Sequence, residues 1–340
     1  MKKNYELKPL FVERMKSLLG KDFDSYLEIL KKEPLRSLRC NTLKISVEDL
    51  KKRLENKGWK INQPFKSFPE IMIVQGKVGN NKEVSWGGRS GEGGGKEIID
   101  LQPGELGRAL EHLLGYYYIQ EIASMLPALV LNPKENERIL DLCASPGSKT
   151  TQIVARMNNT GLLIANEVKF GRIKILSANT ERCGVMSMLI TKRDGVALCK
   201  RFKEEGFLFD KILLDAPCSG EGTFRSVPKG LEMWNIKTVE NLSKLQKSLI
   251  ASAIEILKPN GELVYSTCTH APEENEEVID FALKNFNVKI EKINLPIKAR
   301  SGITKWKEKE YLEDVKFSCR IYPQDNDTEG FFIAKIRKVK

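Results

Sequence analysis

Ile139-Leu140-Asp141-Leu142-Cys143-Ala144-Ser145-Pro146-Gly147-Ser148-Lys149-Thr150 reads as an apolar strand running into a loop of small residues, with a helix behind it. Small side chains and Gly147 let the backbone approach a ligand closely at a helix N-terminus. Two nucleotide-binding patterns fail here. A phosphate-binding loop needs Gly-x4-Gly-Lys-Ser/Thr. With its lysine set at Lys149, Cys143 and Ser148 occupy both glycine positions. The dinucleotide fingerprint Gly-x-Gly-x-x-Gly is absent as well, so the loop suits a nucleoside cofactor rather than a pyrophosphate.

Outward from this segment, apolar runs at Leu162–Asn166, Met186–Thr191, Lys211–Asp215 and Leu263–Ser266 alternate with amphipathic helical stretches. That alternation predicts an α/β fold, a Rossmann-like parallel sheet with helices on both faces. Ligands in such folds sit at the carboxyl ends of the strands, where strand order reverses. The second run ends Ala165-Asn166-Glu167. An acid about 20 positions past the loop glycine is placed to accept hydrogen bonds from ribose hydroxyls. Glu167 fits that role, against a competing reading as a solvated loop carboxylate. Asp194, after the third run, is either a contact on the adenine side or a turn residue before Gly195.

The part before this pattern is organised differently. Leu10, Met15, Leu18 and Leu19, then Tyr26, Leu27, Ile29 and Leu30, recur at helical spacing, and Pro34 stops them. Leu38–Lys44 looks strand-like, Val47–Asn56 helical, and Trp59–Ile61 and Ile71–Val74 extended. The run WGGRSGEGGG, residues 86–95, is too rich in glycine for regular structure. These features predict a small α+β domain over residues 1–100, with a cofactor-binding domain over 101–340.

Composition narrows the partner. The 340 residues carry a formal charge of +11, and the first 60 hold 16 Lys or Arg against nine Asp or Glu. Such a surface favours an anionic partner, nucleic acid or an acidic membrane, unless it serves solubility alone. No run approaches the roughly 20 apolar residues that span a bilayer, and the first 15 residues lack the apolar core of a secretory signal. Seven cysteines, odd in number and without a Cys-x-x-Cys pair, and two distant histidines argue against a zinc site or a disulfide scaffold. A reducing cytoplasm, no metal and no membrane are the expectations.

Two cysteines stand apart from the rest. The fourth run continues Asp215-Ala216-Pro217-Cys218-Ser219-Gly220, and the fifth continues Ser266-Thr267-Cys268-Thr269. Neighbouring strand ends bring both thiols to one cleft, with Asp215 and Lys149 close by. Cys40, Cys183, Cys199 and Cys319 read as ordinary small buried residues. A pair of thiols beside a nucleoside-cofactor loop suits methylation of carbon 5 of cytosine. That carbon is a poor nucleophile until a thiolate adds at carbon 6. Asp215 would hydrogen-bond N3 or N4 of the base, and Lys149 would lower a thiol pKa or contact the base.

At this point a resemblance is visible. YYIQEIASMLP (117–127), DLCASPGSKTTQIVARMNNTG (141–161), IANE (164–167), ANTERCG (178–184), ILLDAPCSGEGTFR (212–225), LVYSTCTHAPEENE (263–276) and EGFFIAKIRK (329–338) resemble the Nop2/Sun (NSUN) RNA cytosine-5 methyltransferases. The likeness includes the bacterial small-subunit rRNA enzymes and shorter archaeal enzymes that act on tRNA. RSLRCNTLKIS (36–46) looks like that family's RNA-binding entry domain. The resemblance implies S-adenosylmethionine as cofactor and rRNA or tRNA as substrate. It implies Cys268 as the nucleophile, and Cys218 as the group that assists breakdown of the adduct. Cys143, Ala144, Ser145, Pro146, Gly147, Ser148, Lys149, Glu167, Arg172, Asp194 and Asp215 would line the cofactor site. Family members often have Ala at the position of Ser145. The ending at Lys340 lacks the further RNA-binding region of the bacterial rRNA enzymes and is like the shorter archaeal relatives. A monomer is expected.

A base inside a helix hides carbons 5 and 6, so the target must be unpaired or flipped out. The basic N-terminal part would hold phosphates. Phe224 and Arg225 would stack on or bracket the base, whereas Trp234 reads chiefly as packing at a helix start. DNA cytosine-5 methyltransferases use the Pro-Cys cysteine as nucleophile, and residues alone leave the two thiols undivided. The alternatives are such a DNA enzyme, or an RNA-binding assembly factor without catalysis.

Overall fold

The computed structural model describes residues 7–79 and 98–339, so the glycine-rich stretch 86–95 lies outside the described residues. The chain gathers into two compact units. The larger comprises Met1–Pro34, Ile122–Glu181 and Val185–Lys340; the smaller comprises Leu35–Glu121 with Arg182–Gly184. These units do not coincide with a cut at residue 100.

The larger unit is built on a nine-stranded sheet. Its strands are β1 (Arg138–Asp141), β2 (Leu162–Asn166), β3 (Met188–Thr191), β4 (Phe209–Asp215), β5 (Leu257–Thr267), β6 (Val288–Glu291), β7 (Arg300–Ser301), β8 (Cys319–Ile321) and β9 (Phe331–Lys338). The order is β7-β8-β9-β5-β4-β1-β2-β3, with β6 also pairing β9. From β5 to β3 every pairing is parallel. The chain runs outward from β1 through β2 to β3, then returns to place β4 on the other side of β1. Strand order therefore reverses between β1 and β4, where a cofactor is expected. All five apolar runs form these parallel strands. The antiparallel flank of β6 to β9 was not foreseen; β9 inserts between β8 and β5, with Ser266 opposite Ile333.

Helices cover the sheet. They are α1 (Pro9–Leu19), α2 (Phe23–Leu30), α3 (Ile122–Leu131), α4 (Ser148–Arg156), α5 (Phe170–Arg182), α6 (Gly195–Glu204), α7 (Ile236–Glu255) and α8 (Glu276–Asn285). Leu140, Ile212, Leu214, Leu263 and Tyr265 from the strands pack with Leu249, Ile250, Ala253 and Val278 from the helices in one continuous core. The entry of α7 is fixed by Asn235, whose side chain accepts from the Thr238 amide at 2.9 Å. Helices α1 and α2 join this unit because Phe11, Met15, Phe23 and Tyr26 are buried with Phe224, Trp234 and Tyr322. Among the described residues no helix is long and apolar enough to cross a membrane.

The smaller unit is an antiparallel sheet in the order Trp59–Asn62, Ile71–Val78, Ser37–Cys40, Tyr117–Ile119, with Ile98–Ile99 pairing Ile71–Val78. The helix Val47–Asn56 starts at Ser46, whose hydroxyl accepts from the Asp49 amide at 3.0 Å. Its Leu50 and Leu54 pack on Leu38, Trp59, Met72 and Tyr117. The Asn41 amide donates to the carbonyls of Gly115 and Cys183, both at 2.8 Å.

Candidate active site

The loop after β1 is shaped by its own residues. Gly147 has φ +102°, and a Cβ there would lie 3.0 Å from Leu176 Cδ1, so glycine is required for the turn and for the helix behind it. The Thr150 hydroxyl donates to Asp141 Oδ2 at 2.7 Å. The Ser145 hydroxyl donates to the Arg172 carbonyl at 2.9 Å, and the Arg172 guanidinium returns a bond to the Ser145 carbonyl at 2.5 Å. The hydroxyl that departs from the family pattern is thus satisfied. Burial raises the Asp141 carboxyl to about 7.

Next to it, the loops after β2 and β3 are stitched by Asn166. Its side chain donates to the carbonyls of Leu142 and Arg193 at 3.2 and 3.1 Å, and accepts from the Thr191 hydroxyl at 2.9 Å. Glu167 is buried, takes the Lys169 amide at 2.8 Å and pairs with Arg172 at 3.2 Å. Asp194 caps α6 by accepting from the Ala197 amide at 3.0 Å. Asp194 is thus the turn residue that starts α6, and it also lines a cavity of about 400 Å³ together with Glu167 and Arg172.

That cavity also holds the thiols. Parallel pairing sets Ser266 of β5 opposite Asp215 of β4, so the loops that follow run side by side. Cys218 Sγ and Cys268 Sγ lie 3.2 Å apart. Both line the cavity that Cys143, Glu167, Asp194 and Asp215 share. An adjoining pocket of about 230 Å³ is lined by Ser124, Asp141, Ala144, Ser145, Pro146, Ser148, Lys149 and again Asp215. Lys149 bonds Asp215 Oδ2 at 2.8 Å and the Ser124 hydroxyl at 2.9 Å, while the Ser266 hydroxyl donates to Asp215 Oδ1 at 2.7 Å. The expected site residues therefore gather at the strand ends, with Gly147 forming the turn between them.

Behind the Cys218 loop sits Glu274, fully buried. Its Oε2 accepts from the Ser219 amide at 3.0 Å and from the Gln246 side chain at 2.8 Å. Gln246 also donates to the Pro217 carbonyl at 2.8 Å. The hydrogen bond to Cys268, and burial after it, push the Cys218 thiol well above the ordinary thiol range. Burial pushes Cys143 up too, and Cys40, Cys183, Cys199 and Cys319 are buried as expected. All seven cysteines are free.

Phe224 and Arg225 do not take the places expected of them. Phe224 is buried 5.4 Å from the Phe11 ring. Arg225 is buried, donating to the carbonyls of Lys32 and Glu33 at 2.9 and 2.6 Å and pairing with Asp327. Both side chains are consumed by packing α1, α2 and the loop before β9, so neither is presented to a base. Trp234 is the packing residue foreseen, its indole donating to Glu221 at 2.7 Å. Reading the residues missed Ser124, Asn166, Gln246, Ser266 and Glu274. Four of them lay inside the family-like segments, but only the contacts between loops give them a task.

The residues present fit S-adenosylmethionine. Glu167 and Asp194 line one cavity, where their remaining carboxylate oxygens would take ribose and base donors. Asp141 Oδ1, buried in the wall of the adjoining pocket, has no hydrogen-bond partner among the described residues, an acceptor available to an amino group. The larger cavity falls within the roughly 300–1,000 Å³ typical of small-molecule sites.

Comparison with known proteins agrees. Residues 128–337 match the family model for 16S rRNA methyltransferase RsmB/F, and residues 7–66 match the model for the N-terminal domain of 16S rRNA methyltransferase RsmF. A tRNA (cytosine(49)-C(5))-methyltransferase of Pyrococcus abyssi is 43% identical over 90% of this chain and 89% of its own length. The ribosomal RNA small subunit methyltransferase F of Vibrio atlanticus is 38% identical over 97% of this chain, which spans 63% of that relative's length. Among solved structures, a methyltransferase homolog protein from Pyrococcus horikoshii is 33% identical with a TM-score of 0.80, covering 99% of this chain and 96% of that one. NSun6 from the same organism, solved with SFG, is 27% identical with a TM-score of 0.80 over 98% of each chain. Strand-end cysteines, cofactor loop and both matched models lead to one assignment: the chain is an S-adenosylmethionine-dependent methyltransferase and belongs to the 16S rRNA methyltransferase RsmB/F family.

Proposed function

We propose that this chain methylates carbon 5 of an unpaired cytosine in ribosomal or transfer RNA, with Cys268 as nucleophile and Cys218 as the group that assists product release. The observation that carries the reading is the pair of thiols 3.2 Å apart in the cavity shared with Glu167, Asp194 and Asp215. RNA as substrate follows the relatives, which are named for tRNA and ribosomal RNA.

When bound, S-adenosylmethionine supplies a methyl group made electrophilic by its sulfonium. The rest of the chemistry belongs to the chain. Cys268 thiolate forms a bond to carbon 6, and the electron pair of the C5–C6 double bond shifts so that carbon 5 becomes enamine-like. Carbon 5 then takes the methyl group, and a neutral thioether remains. Loss of the carbon 5 proton to a base restores the double bond and expels Cys268. The Cys218 thiol, kept protonated by its hydrogen bond to Cys268 and by burial, lies 3.2 Å from the Cys268 sulfur, within reach of it throughout the cycle. After transfer, Cys218 helps break the adduct. Asp215, steadied by Lys149 and Ser266, accepts from the N4 amino group.

The test is transfer of labelled methyl groups from S-adenosylmethionine to tRNA, to fragments of small-subunit rRNA, and to DNA of the same sequences. RNA labelling at carbon 5 of cytosine is expected, with Cys268→Ala abolishing it while cofactor affinity stays within about threefold. Labelling of DNA alone, or full activity in Cys268→Ala, overturns the reading.

A further inference from the structure

Beside the cofactor cavity, the larger unit carries a surface that the methyl-transfer chemistry leaves unused. Pairing of β2 with β3 brings their following loops together, with Glu167 N donating to Thr191 O at 3.1 Å. One loop contributes Lys169 and Phe170 and leads into α5 with Lys174; the other contributes Lys192. Phe170 is 58% exposed, an unusual position for a large apolar ring. Two ammonium groups attend it, Lys174 Nζ at 5.1 Å and Lys192 Nζ at 5.4 Å from the ring centroid. Neither lysine is in an ion pair among the described residues. Nearby acids are otherwise occupied, Glu167 with Arg172 and Asp194 with the start of α6.

We propose that Phe170, Lys174 and Lys192 form a platform for the single-stranded RNA that flanks the target cytosine, one base stacking on Phe170 and the lysines meeting its phosphates. The assignment rests on RNA being the substrate. Charge complementarity selects this occupant, since the exposed charged side chains that attend or adjoin the ring are Lys169, Lys174 and Lys192, with Arg172 and Arg193 at the cavity mouth. Single strands are held where a basic groove is combined with an aromatic side chain on which bases stack. Position agrees, because Val168, two residues from Phe170, lines the same cavity as both thiols. A strand whose cytosine enters that cavity has its neighbours within reach of this ring.

Fluorescence anisotropy with a labelled single-stranded RNA of about 12 nucleotides, matched to known single-strand site sizes, tests the surface. Phe170→Ala should weaken binding about tenfold, in keeping with loss of one stacked base, with an unchanged salt slope. Lys174→Gln with Lys192→Gln should weaken it as well and reduce the slope of log K against log salt by about 1.4, two phosphate contacts on a single strand. Calorimetric titration with S-adenosylhomocysteine should give wild-type affinity in both variants. Wild-type RNA affinity in both, or a fall in cofactor affinity that matches the fall in RNA affinity, overturns the platform. If the wild-type chain methylates RNA while the platform variants keep its KM for RNA, this surface fails and the proposed function stands. If the wild-type chain methylates no RNA, the proposed function itself falls.

Discussion

Cys218 and Cys268 are alike as residues and unlike in their surroundings, and the difference extends to Glu274 behind them. Glu274 braces the Cys218 loop through the Ser219 amide and shares Gln246 with the Pro217 carbonyl. Burial raises its carboxyl from an ordinary 4.5 to about 7. Between those values the folded chain keeps a proton that the unfolded chain has released. Stability contributed here is therefore complete below about pH 4.5 and is lost as pH rises through about 7, by an amount of order 3 kcal/mol at most. Glu274→Gln should flatten this loss, so that the variant gains on wild type between pH 5 and pH 8 in thermal unfolding; parallel curves would contradict it. Asp141 titrates in the same direction and remains in the variant. At this scale the thiols, Lys149 and Asp215 were legible, because reactive groups in small-residue loops stand out in a sequence. Glu274 was not, since one acid among the three in Glu273-Glu274-Asn275-Glu276 carries no sign that it is the one bracing the Cys218 loop.

At the scale of elements, the site depends on three loops meeting at backbone distance. The Gly222 amide donates to the Cys268 carbonyl at 2.9 Å, and the Gly330 amide donates to the Gly222 carbonyl at 2.8 Å. A Cβ on Gly222 would lie 2.3 Å from the Gly330 oxygen and 2.9 Å from the Cys268 oxygen. Neither neighbour is a flexible side chain, so the backbone joining the Gly330, Gly222 and Cys268 loops must shift. Gly222→Ala should cost about 1–3 kcal/mol in denaturant unfolding, as overpacking does. It should also lower kcat at least about tenfold, a displacement of reacting groups being that costly, while S-adenosylhomocysteine still binds. Wild-type kcat would show that the loop contact is incidental. The parallel strands were readable because each is a short apolar run bounded by turns. Strand β9 was not, because FFIAKIRK enters the sheet out of chain order, between β5 and the edge strands. Pairing across such sequence distance leaves no local signal.

For the molecule as a whole, the division into units decides how the chain unfolds. Periodicity placed residues 1–100 together, since short helical and extended pieces precede the regular alternation that begins near residue 138. The contacts place α1 and α2 with the larger unit, through Phe11 on Phe224 and Trp234 and through Arg14, which bonds Glu273 at 2.7 and 3.0 Å. Local periodicity reports the secondary structure of a segment, whereas membership of a core is set by partners that lie some 200 residues away. Phe11→Ala should therefore destabilise the larger unit by about 3–5 kcal/mol, the usual cost of removing a buried phenyl ring. Tryptophan fluorescence during denaturant unfolding, with Trp59 and Trp86 replaced by Phe so that Trp234 and Trp306 of the larger unit report, measures it, and an unchanged transition would return α1 to the smaller unit. Saturation with S-adenosylhomocysteine at about 100 times its Kd should raise the stability of the same unit by about 2.7 kcal/mol.

The division of labour between the two thiols is the central claim, and one gel tests it. Each variant is incubated with S-adenosylmethionine and RNA and run under denaturing conditions. Cys218→Ala should accumulate a slow band of enzyme joined to RNA, and the band should vanish in Cys268→Ala and in the double variant. A band that persists in Cys268→Ala, or Cys218→Ala turning over freely with no band, would contradict the account.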